Sequence, residues 1–485
     1  MGPTDTLTLG IDLGTSAVKV IALDAQGEVL AGGSGVFPTD SALPGQAEQS
    51  PGDWLAALEQ AMTGLDHGLQ SRVPQWRGRV EAIGLAGQMP TLVCMGDDGP
   101  IGAAVTWKDA RADAWAGAAI DAGARRALYA RTGMPIDGRY LGPMLRYHWP
   151  AHRESLRTIL SAKDYFCHAL TGERVTDPST AAGYGVYDLA RSAFAGDLCK
   201  RWDLPLSLLP RVAPAHSIAA PLGTGGAQRL GLAPGIPVTV GAADSVAGAY
   251  ALAGLQEGVV CVSMGSSTII LDAVRAPRLD PDARYLLTPH VEAGWYGREM
   301  DLLATGTGHQ WLSALLGWSE GQLDAHAARS VPGAHGLGFA PYLAGGEQGA
   351  LWNPLLRGAL SGLTLQHGAA DIARAFLEGV CFEIRRCIDV LAESAPVTGI
   401  VVTGGMVEHA PSLQMLADIL LQPVHGVRSV SAAAEGAARG ARAALDPSAA
   451  PAVLHARAAA GVAVQPGPAG GAYRALYEHY RSVHG

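Results

Sequence analysis

Residues 7–23, LTLGIDLGTSAVKVIAL, place one acidic side chain, Asp12, between two apolar runs joined by a Gly-Thr-Ser turn. The apolar and β-branched residues on either side predict two strands, and the glycine lets the chain reverse within a few residues. Such a unit turns backbone amides toward an anion such as a phosphate, with a carboxylate beside them to help hold a metal ion. An ordinary β-hairpin with a glycine turn fits the same local pattern. A second copy separates these readings. Residues 258–272, GVVCVSMGSSTIILD, repeat the order of apolar strand, Met-Gly-Ser-Ser turn and β-branched strand. Two such hairpins ~250 residues apart predict two similar domains facing each other across one nucleotide.

The 485 residues are enough for two or three domains, each with its own core. Apolar residues make up 48% and charged residues 16%, the balance of a folded globular chain. With a net charge of -9 and scattered Lys and Arg, the chain carries no electrostatic footprint for nucleic acid or an anionic membrane. The longest uncharged apolar stretch, Ser245–Gln256, is too short to span a bilayer. No basic region followed by an apolar core opens the chain, so no signal peptide is expected. MGPTDT formally fits a myristoylation pattern, but so short a match containing Pro3 reads as chance. The six cysteines form no CxxC pair and read as reduced, packed thiols of a cytoplasmic protein.

Strand patterns fall at 7–12, 17–23, 80–86, 236–241, 258–263 and 267–272, with helical patterns at 53–64, 161–170, 370–391 and 411–421. This alternation predicts an α/β architecture with mainly parallel or mixed sheets. Asp53 is the expected N-cap of the helix beginning WLAALEQAM. A Gly/Pro-rich stretch at 213–237 is expected to separate the halves loosely, giving domains 1–246 and 247–485. An Ala/Gly/Pro stretch, 447–471, reads as an irregular connection to a last helix near 472–483.

Neither GxxxxGK[ST] nor GxGxxG occurs, which excludes a P-loop and argues against an ordinary Rossmann dinucleotide site. His148 and His152 have i,i+4 spacing, but Pro150 interrupts them and a metal site is not expected there. Asp244 sits where VTVGAAD ends a strand and SVAGAYALAG opens a helix. It reads equally as an N-cap and as a carboxylate at a strand's carboxyl end, where open α/β sheets bind ligands. Gln88, Trp107, Lys108, Asp109 and Arg111 are expected near one another at two loop tips. Polar groups beside one aromatic suit a sugar, and a solvated hairpin tip explains them as well. Gly404 and Gly405, in VVTGGMVEH, would let backbone approach a flat ligand closely, or simply serve a strand-to-helix turn.

Taken together, GIDLGTSAVKV, AGQM, TWKDAR, AKDYFCHALTGE with TDPSTAAGYGVYDL, VGAADSVAGA, SMGSS, GALWNPLLRGALSGLTLQHGAADIARAFLEGV and TGGMVEHAPSLQMLADIL occur in an order that resembles the FGGY carbohydrate kinases, within the actin/Hsp70/sugar-kinase superfamily. The xylulokinases look most similar. The resemblance implies two similar actin-like ATPase (ribonuclease H-like) domains with an interdomain cleft. It implies ATP-dependent phosphorylation of a sugar hydroxyl, with a ketopentose such as D-xylulose as the foremost acceptor and Mg2+ (magnesium) as cofactor. Partners would be the sugar and ATP; a homodimer accords with the family, and no segment marks its interface.

Residue by residue, Asp12 matches the carboxylate that positions magnesium and the transferring phosphate, and Asp244 the general base. Gly14, Thr15 and Ser16, followed by Lys19, match the first phosphate turn; Gly265 and Ser266 match the second. Gly404 and Gly405 match the adenosine side, and Gln88, Met89, Trp107 and Asp109 the sugar side. The chain departs from the xylulokinase pattern at Pro90 (in place of the His of QMHG), at Lys108 (WND) and at Ser245 (GDN). These departures leave the phosphoryl-transfer set intact and open the acceptor to another ketose, a sugar acid such as gluconate, or a polyol. One hypothesis is that Lys108 favours an acidic sugar; its competitor has Lys108 facing solvent. An actin-like or Hsp70-like nucleotide switch that binds partners is a reading of a different class, disfavoured by the intact Asp244 region and the second family signature, and a non-catalytic sugar sensor is disfavoured by the presence of both Asp12 and Asp244.

Overall fold

Each of the two hairpins founds a sheet. The computed structural model describes residues 6–149, 153–344, 348–353, 355–446 and 461–484. In the first sheet, Leu7–Leu13 pairs antiparallel with Ala17–Leu23, which pairs antiparallel with Val29–Val36. The other edge of Leu7–Leu13 pairs in parallel with Val80–Gly87, which in turn takes Pro237–Thr239 in parallel. The second sheet repeats this with Val259–Met264 in the founding position. Thr268–Val274 and Tyr296–Leu302 follow antiparallel on one side, Gly399–Gly404 and Val424–Gly426 in parallel on the other. The founding strand Leu7–Leu13 is buried throughout, which is why it reads as a continuous apolar run rather than an alternating one. The chain is thus a mixed α/β protein with two sheets of actin-like type, as expected.

Two helices fill the space between the sheets. Asp244–Ala253 packs with Cys261, Leu271 and Val401 of the second sheet, while Ala432–Leu445 lies on the first sheet. Ala432–Leu445 is mostly Ala and Gly and Asp244–Ala253 is half Ala and Gly, so backbones approach closely. A Cβ at Gly10 or Gly84 would lie 1.8 Å from the carbonyl oxygens of Ala434 and Ala437, so only glycine fits there. A small sheet containing Glu48–Gln49, Thr91–Gly96 and Ala104–Thr106 carries the 107–111 segment toward the space between the domains. Among the described residues no helix is long and apolar enough to cross a membrane.

Some local expectations change. The helix Pro51–Leu69 is capped by Ser50, whose hydroxyl accepts from Asp53 N at 3.4 Å, so Asp53 lies inside the first turn rather than at the cap. Pro51 explains the shift, because its fixed φ and missing N–H suit the first helical position. The 213–237 stretch is not a separator: it contains the strand Ile218–Pro221 and the helix Thr224–Leu230, with Leu222, Ala227 and Leu230 buried in the first domain's core. Of the 447–471 connection, 447–460 lies outside the described residues, as do residues 1–5, Pro150 and His152; Val462–Val464 pairs on the edge of the second sheet. All six cysteines are buried thiols.

Candidate active site

Each glycine turn is closed by the amide of its own glycine, reaching three residues ahead in the first and two in the second. Gly14 N donates to Ala17 O at 3.1 Å, and Gly265 N to Ser267 O at 2.8 Å. Both turns face one cavity of about 340 Å³ between the domains. Asp12, Gly14, Thr15, Ser16, Lys19 and Asp244 line it together with Gly265, Ser266 and Gly404. Gln88, Met89 and Trp107 line it too. Gly405 lies instead in a second cavity of about 290 Å³, which shares Met264, Gly265 and Ser266 with the first. Phe376, Leu377 and Val380 give that second cavity an apolar wall of the kind a planar base requires.

Asp12 stands near the end of its strand opposite Lys19. Its Oδ2 accepts a 3.0 Å hydrogen bond from Ser431, 419 residues away, which also caps the helix Ala432–Leu445. Its Oδ1 is buried with no hydrogen-bond partner. Burial raises the Asp12 pKa, against the opposing pull of the Lys19 charge and the Ser431 hydroxyl. A buried carboxylate oxygen with nothing to bind is costly, and a cation or its bound water would satisfy it. No cluster of three or more His, Cys, Asp or Glu side chains suited to a metal gathers among the described residues. That donor set fits Mg2+, which is ordinarily held by one or two carboxylates together with phosphate oxygens and water.

Asp244 is the first residue of its helix; the cap position is Ala243, so the N-cap reading of Asp244 does not hold. Its Oδ1 accepts from Ser245 N at 2.9 Å. Desolvation first, then the charges of Asp12 and Asp301, push its pKa up to about 7. The backbone before it is tied down from below. Ala243 N donates to Ser179 Oγ at 2.9 Å, and Ser179 N donates to Asp177 Oδ2 at 2.9 Å. Lys163 Nζ lies 3.3 Å from Asp177 Oδ1 and donates to Asp164 Oδ1 at 2.7 Å and to Val240 O at 2.9 Å. Lys163, Asp164, Asp177 and Ser179 are all fully buried. The KDY and TDPST motifs therefore act as a foundation for Asp244 rather than touching the cavity.

Among the residues expected on the sugar side, Gln88 Nε2 donates to Gln49 Oε1 at 2.9 Å, and Gln49 Nε2 donates to Thr15 O at 2.8 Å, which couples Gln88 to the first turn. Asp109 does not line the cavity. It is 1% exposed, and both its oxygens accept from Arg111 Nε at 3.0 Å while Oδ2 also accepts from Ala47 N at 2.9 Å. Arg111 in turn pairs with Glu48, so Asp109 braces the loop that presents Trp107. Lys108 is exposed and outside the lining, its Nζ 5.2 Å from the centre of the Trp107 ring.

Sequence reading missed Asp137, Arg139, Glu299, Asp301 and Gln348, all of which line the cavity. The signal for Glu299 and Asp301 was present: in YGREMDL two acids recur at a spacing of two, hence on one face of a strand. Asp137 and Arg139 lie in a connection with no periodicity to mark them.

Comparison with known proteins agrees with this geometry. The chain matches the model of the FGGY family of carbohydrate kinases, N-terminal domain, over residues 7–251 and the C-terminal domain model over residues 260–445. It is 30% identical over 419 residues to a xylulose kinase of Escherichia coli, covering 85% of this chain and 84% of that one. It is 27% identical over 432 residues to a gluconokinase of Bacillus subtilis, covering 85% and 82%. Among solved structures, the xylulose kinase from Rhodospirillum rubrum superposes with a TM-score of 0.85 at 28% identity, covering 99% of this chain and 98% of that one. The paired glycine turns, the cavity between them and these matches together place the chain in the FGGY family of carbohydrate kinases, as an ATP-dependent sugar kinase.

Proposed function

We propose that the chain transfers the terminal phosphoryl group of MgATP to a hydroxyl of a ketopentose such as D-xylulose, with Asp244 as general base. The observation that carries this reading is Asp244 itself, set in one cavity with both glycine turns and held near pKa 7, where a carboxylate can accept a hydroxyl proton at neutral pH. Gly14, Thr15 and Ser16 on one side and Gly265 and Ser266 on the other offer backbone to the phosphates, with Lys19 adding positive charge. Phosphoryl transfer needs alignment and charge neutralisation more than covalent help, and two facing turns supply alignment. Bound Mg2+ would neutralise phosphate charge, with Asp12 Oδ1 as its protein contact. Gly404 and Gly405 flank the adenosine side, while Gln88, Met89 and Trp107 shape the acceptor side. Asp109 acts there through the loop it braces.

A division into domains 1–246 and 247–485, and residence in the cytoplasm where the buried thiols stay reduced, complete the reading. A gluconate acceptor is the second reading, since relatives named gluconokinases match to a similar extent. Coupled ADP release with MgATP across ketopentoses, ketohexoses, aldonates and polyols tests it, with Asp244→Ala beside the wild type. One preferred acceptor whose turnover collapses in the variant is the expected result. Turnover that Asp244→Ala leaves unchanged would remove Asp244 as the base.

A further inference from the structure

This inference rests on the acceptor site just proposed and narrows its chemistry. The strand Tyr296–Leu302 alternates: Arg298, Met300 and Leu302 are buried in the second domain, while Glu299 and Asp301 line the cleft. Glu299 Oε2 accepts from Ser245 Oγ at 3.1 Å, one residue past the proposed base. Asp301 Oδ1 is buried with no partner, and so is Gln88 Oε1, contributed by the first domain. Gln88 is 1% exposed and lines the same cavity, so each domain contributes to its wall a side chain with an acceptor atom in want of a donor. Asp137 adds a third carboxyl to this wall.

The positive charge here is already committed. Arg139 Nε donates to Asp137 Oδ2 at 3.0 Å, and a terminal nitrogen also pairs with Asp137. With its amide turned so that the oxygen faces the guanidinium, Gln348 accepts from both terminal nitrogens of Arg139. Lys19 stands across the hairpin from Asp12, on the phosphate side, and Lys108 lies outside the lining.

We propose that this end of the cleft accepts an uncharged polyhydroxy molecule and rejects one bearing a carboxylate, with Glu299, Asp301 and Asp137 as the specificity-determining side chains. Sugar hydroxyls bring the donors that Asp301 Oδ1 and Gln88 Oε1 lack, whereas a carboxylate brings acceptors alone. A ligand carboxylate would also bring a full charge into a desolvated wall, which is costly unless it is paired. Burial already works against charge there: it raises Asp301 up to about 7, against the pull of Arg139, and raises Glu299, to which the Asp301 charge adds.

Matched five-carbon acceptors test this: D-xylulose, xylitol and D-xylonate, with the wild type, a Glu299→Gln/Asp301→Asn double variant and Lys108→Ala. Kinetics of ADP release and calorimetric acceptor binding with a non-hydrolysable ATP analogue are read in parallel, and thermal unfolding checks that each variant is folded. The wild type should favour the better neutral acceptor over xylonate by about 100-fold or more in kcat/KM, the scale of leaving a charge unpaired in a desolvated site. The double variant should narrow that ratio about tenfold or more, mainly through a lower xylonate KM, and Lys108→Ala should leave it unchanged. Xylonate used as well as xylulose by the wild type overturns the proposal, as does a ratio unmoved in a folded double variant. Binding of neither class overturns it too. Selective binding of neutral acceptors without ADP release would refute the proposed phosphoryl transfer while leaving this selectivity standing.

Discussion

Replacing Gly436 by alanine puts the interdomain architecture under direct strain. A Cβ at Gly436 would lie 1.8 Å from the carbonyl oxygen of Ala247 and 2.5 Å from its carbon. These are backbone atoms and cannot rotate away. Restoring even a 3.0 Å contact requires the helices Ala432–Leu445 and Asp244–Ala253 to part by about 1.2 Å. Intrinsic propensity alone predicts the opposite sign, because alanine favours a helix interior over glycine by about 1 kcal/mol. Overpacking a rigid contact costs about 1–3 kcal/mol, and with backbone on both sides the upper end applies, leaving a net loss of about 1–2 kcal/mol. For domains of this size that is a fall in Tm of about 2–8 °C. Activity should suffer more than stability. The displaced helix carries Ser431 against Asp12, and its neighbour begins with Asp244, so Asp12 loses a well-placed partner and Asp244 moves. A misplacement near 1 Å costs about 100-fold in rate. The assay is thermal unfolding and steady-state ADP release beside Gly321→Ala, in the helix Glu320–Ala327, where an added Cβ meets nothing within 4 Å. That control should melt slightly higher than wild type, by up to about 1 kcal/mol of stabilisation. A Gly436→Ala protein that melts at or above the wild-type temperature with full kcat would refute the reasoning.

Four other outcomes follow from the same geometry. Asp12→Asn should raise the Mg2+ concentration for half-maximal rate by about tenfold or more at saturating ATP, since Oδ1 loses its charge; an unchanged Mg2+ dependence would exclude Asp12 as the metal contact. With Asp244 held near 7, it is protonated and inactive below that value, so kcat/KM should climb from pH 5 to 8 with an inflection near 7. The same raised pKa makes the folded state the tighter proton binder, so its stabilisation is full below the ordinary carboxylate range and lost as pH rises through about 7. Asp244→Asn should therefore flatten the decline of Tm between pH 4 and 7, and a parallel decline in both proteins would contradict the assignment. Lys163→Met leaves Asp164 and Asp177 buried without their cation and should cost about 3–5 kcal/mol in chemical denaturation; a wild-type midpoint would show that the network does not bear on stability.

Much of the site was legible because its chemistry is local. A turn between two strands needs small residues and glycine, and a carboxylate beside it stands out against an apolar run, which is how Asp12, Gly14–Ser16 and Gly265–Ser266 could be read directly. The repeat of that unit announced two domains. Other assignments depended on partners far away in the chain. Asp109 looked like a ligand of the sugar until Arg111, itself paired with Glu48, and Ala47 N were seen to occupy it. The Gly/Pro-rich 213–237 stretch has the composition of a linker, yet its few apolar residues suffice to seat it in the first core.

By itself, then, the sequence determined the strand hairpins with their glycine turns and the alternating α/β order, because backbone conformation and apolar patterning are set by near neighbours. Only the tertiary structure decided which carboxyls share one cavity. Glu299 and Asp301 become a wall against the ligand because their strand lies third in the second sheet counting out from its founding strand, with that face turned to the cleft. Ser431 meets Asp12 because an Ala/Gly helix can approach a sheet at Gly10 and Gly84 more closely than any larger side chain would permit. Charge burial, and with it the pKa of Asp244, arises from that assembly and has no counterpart in the linear chain.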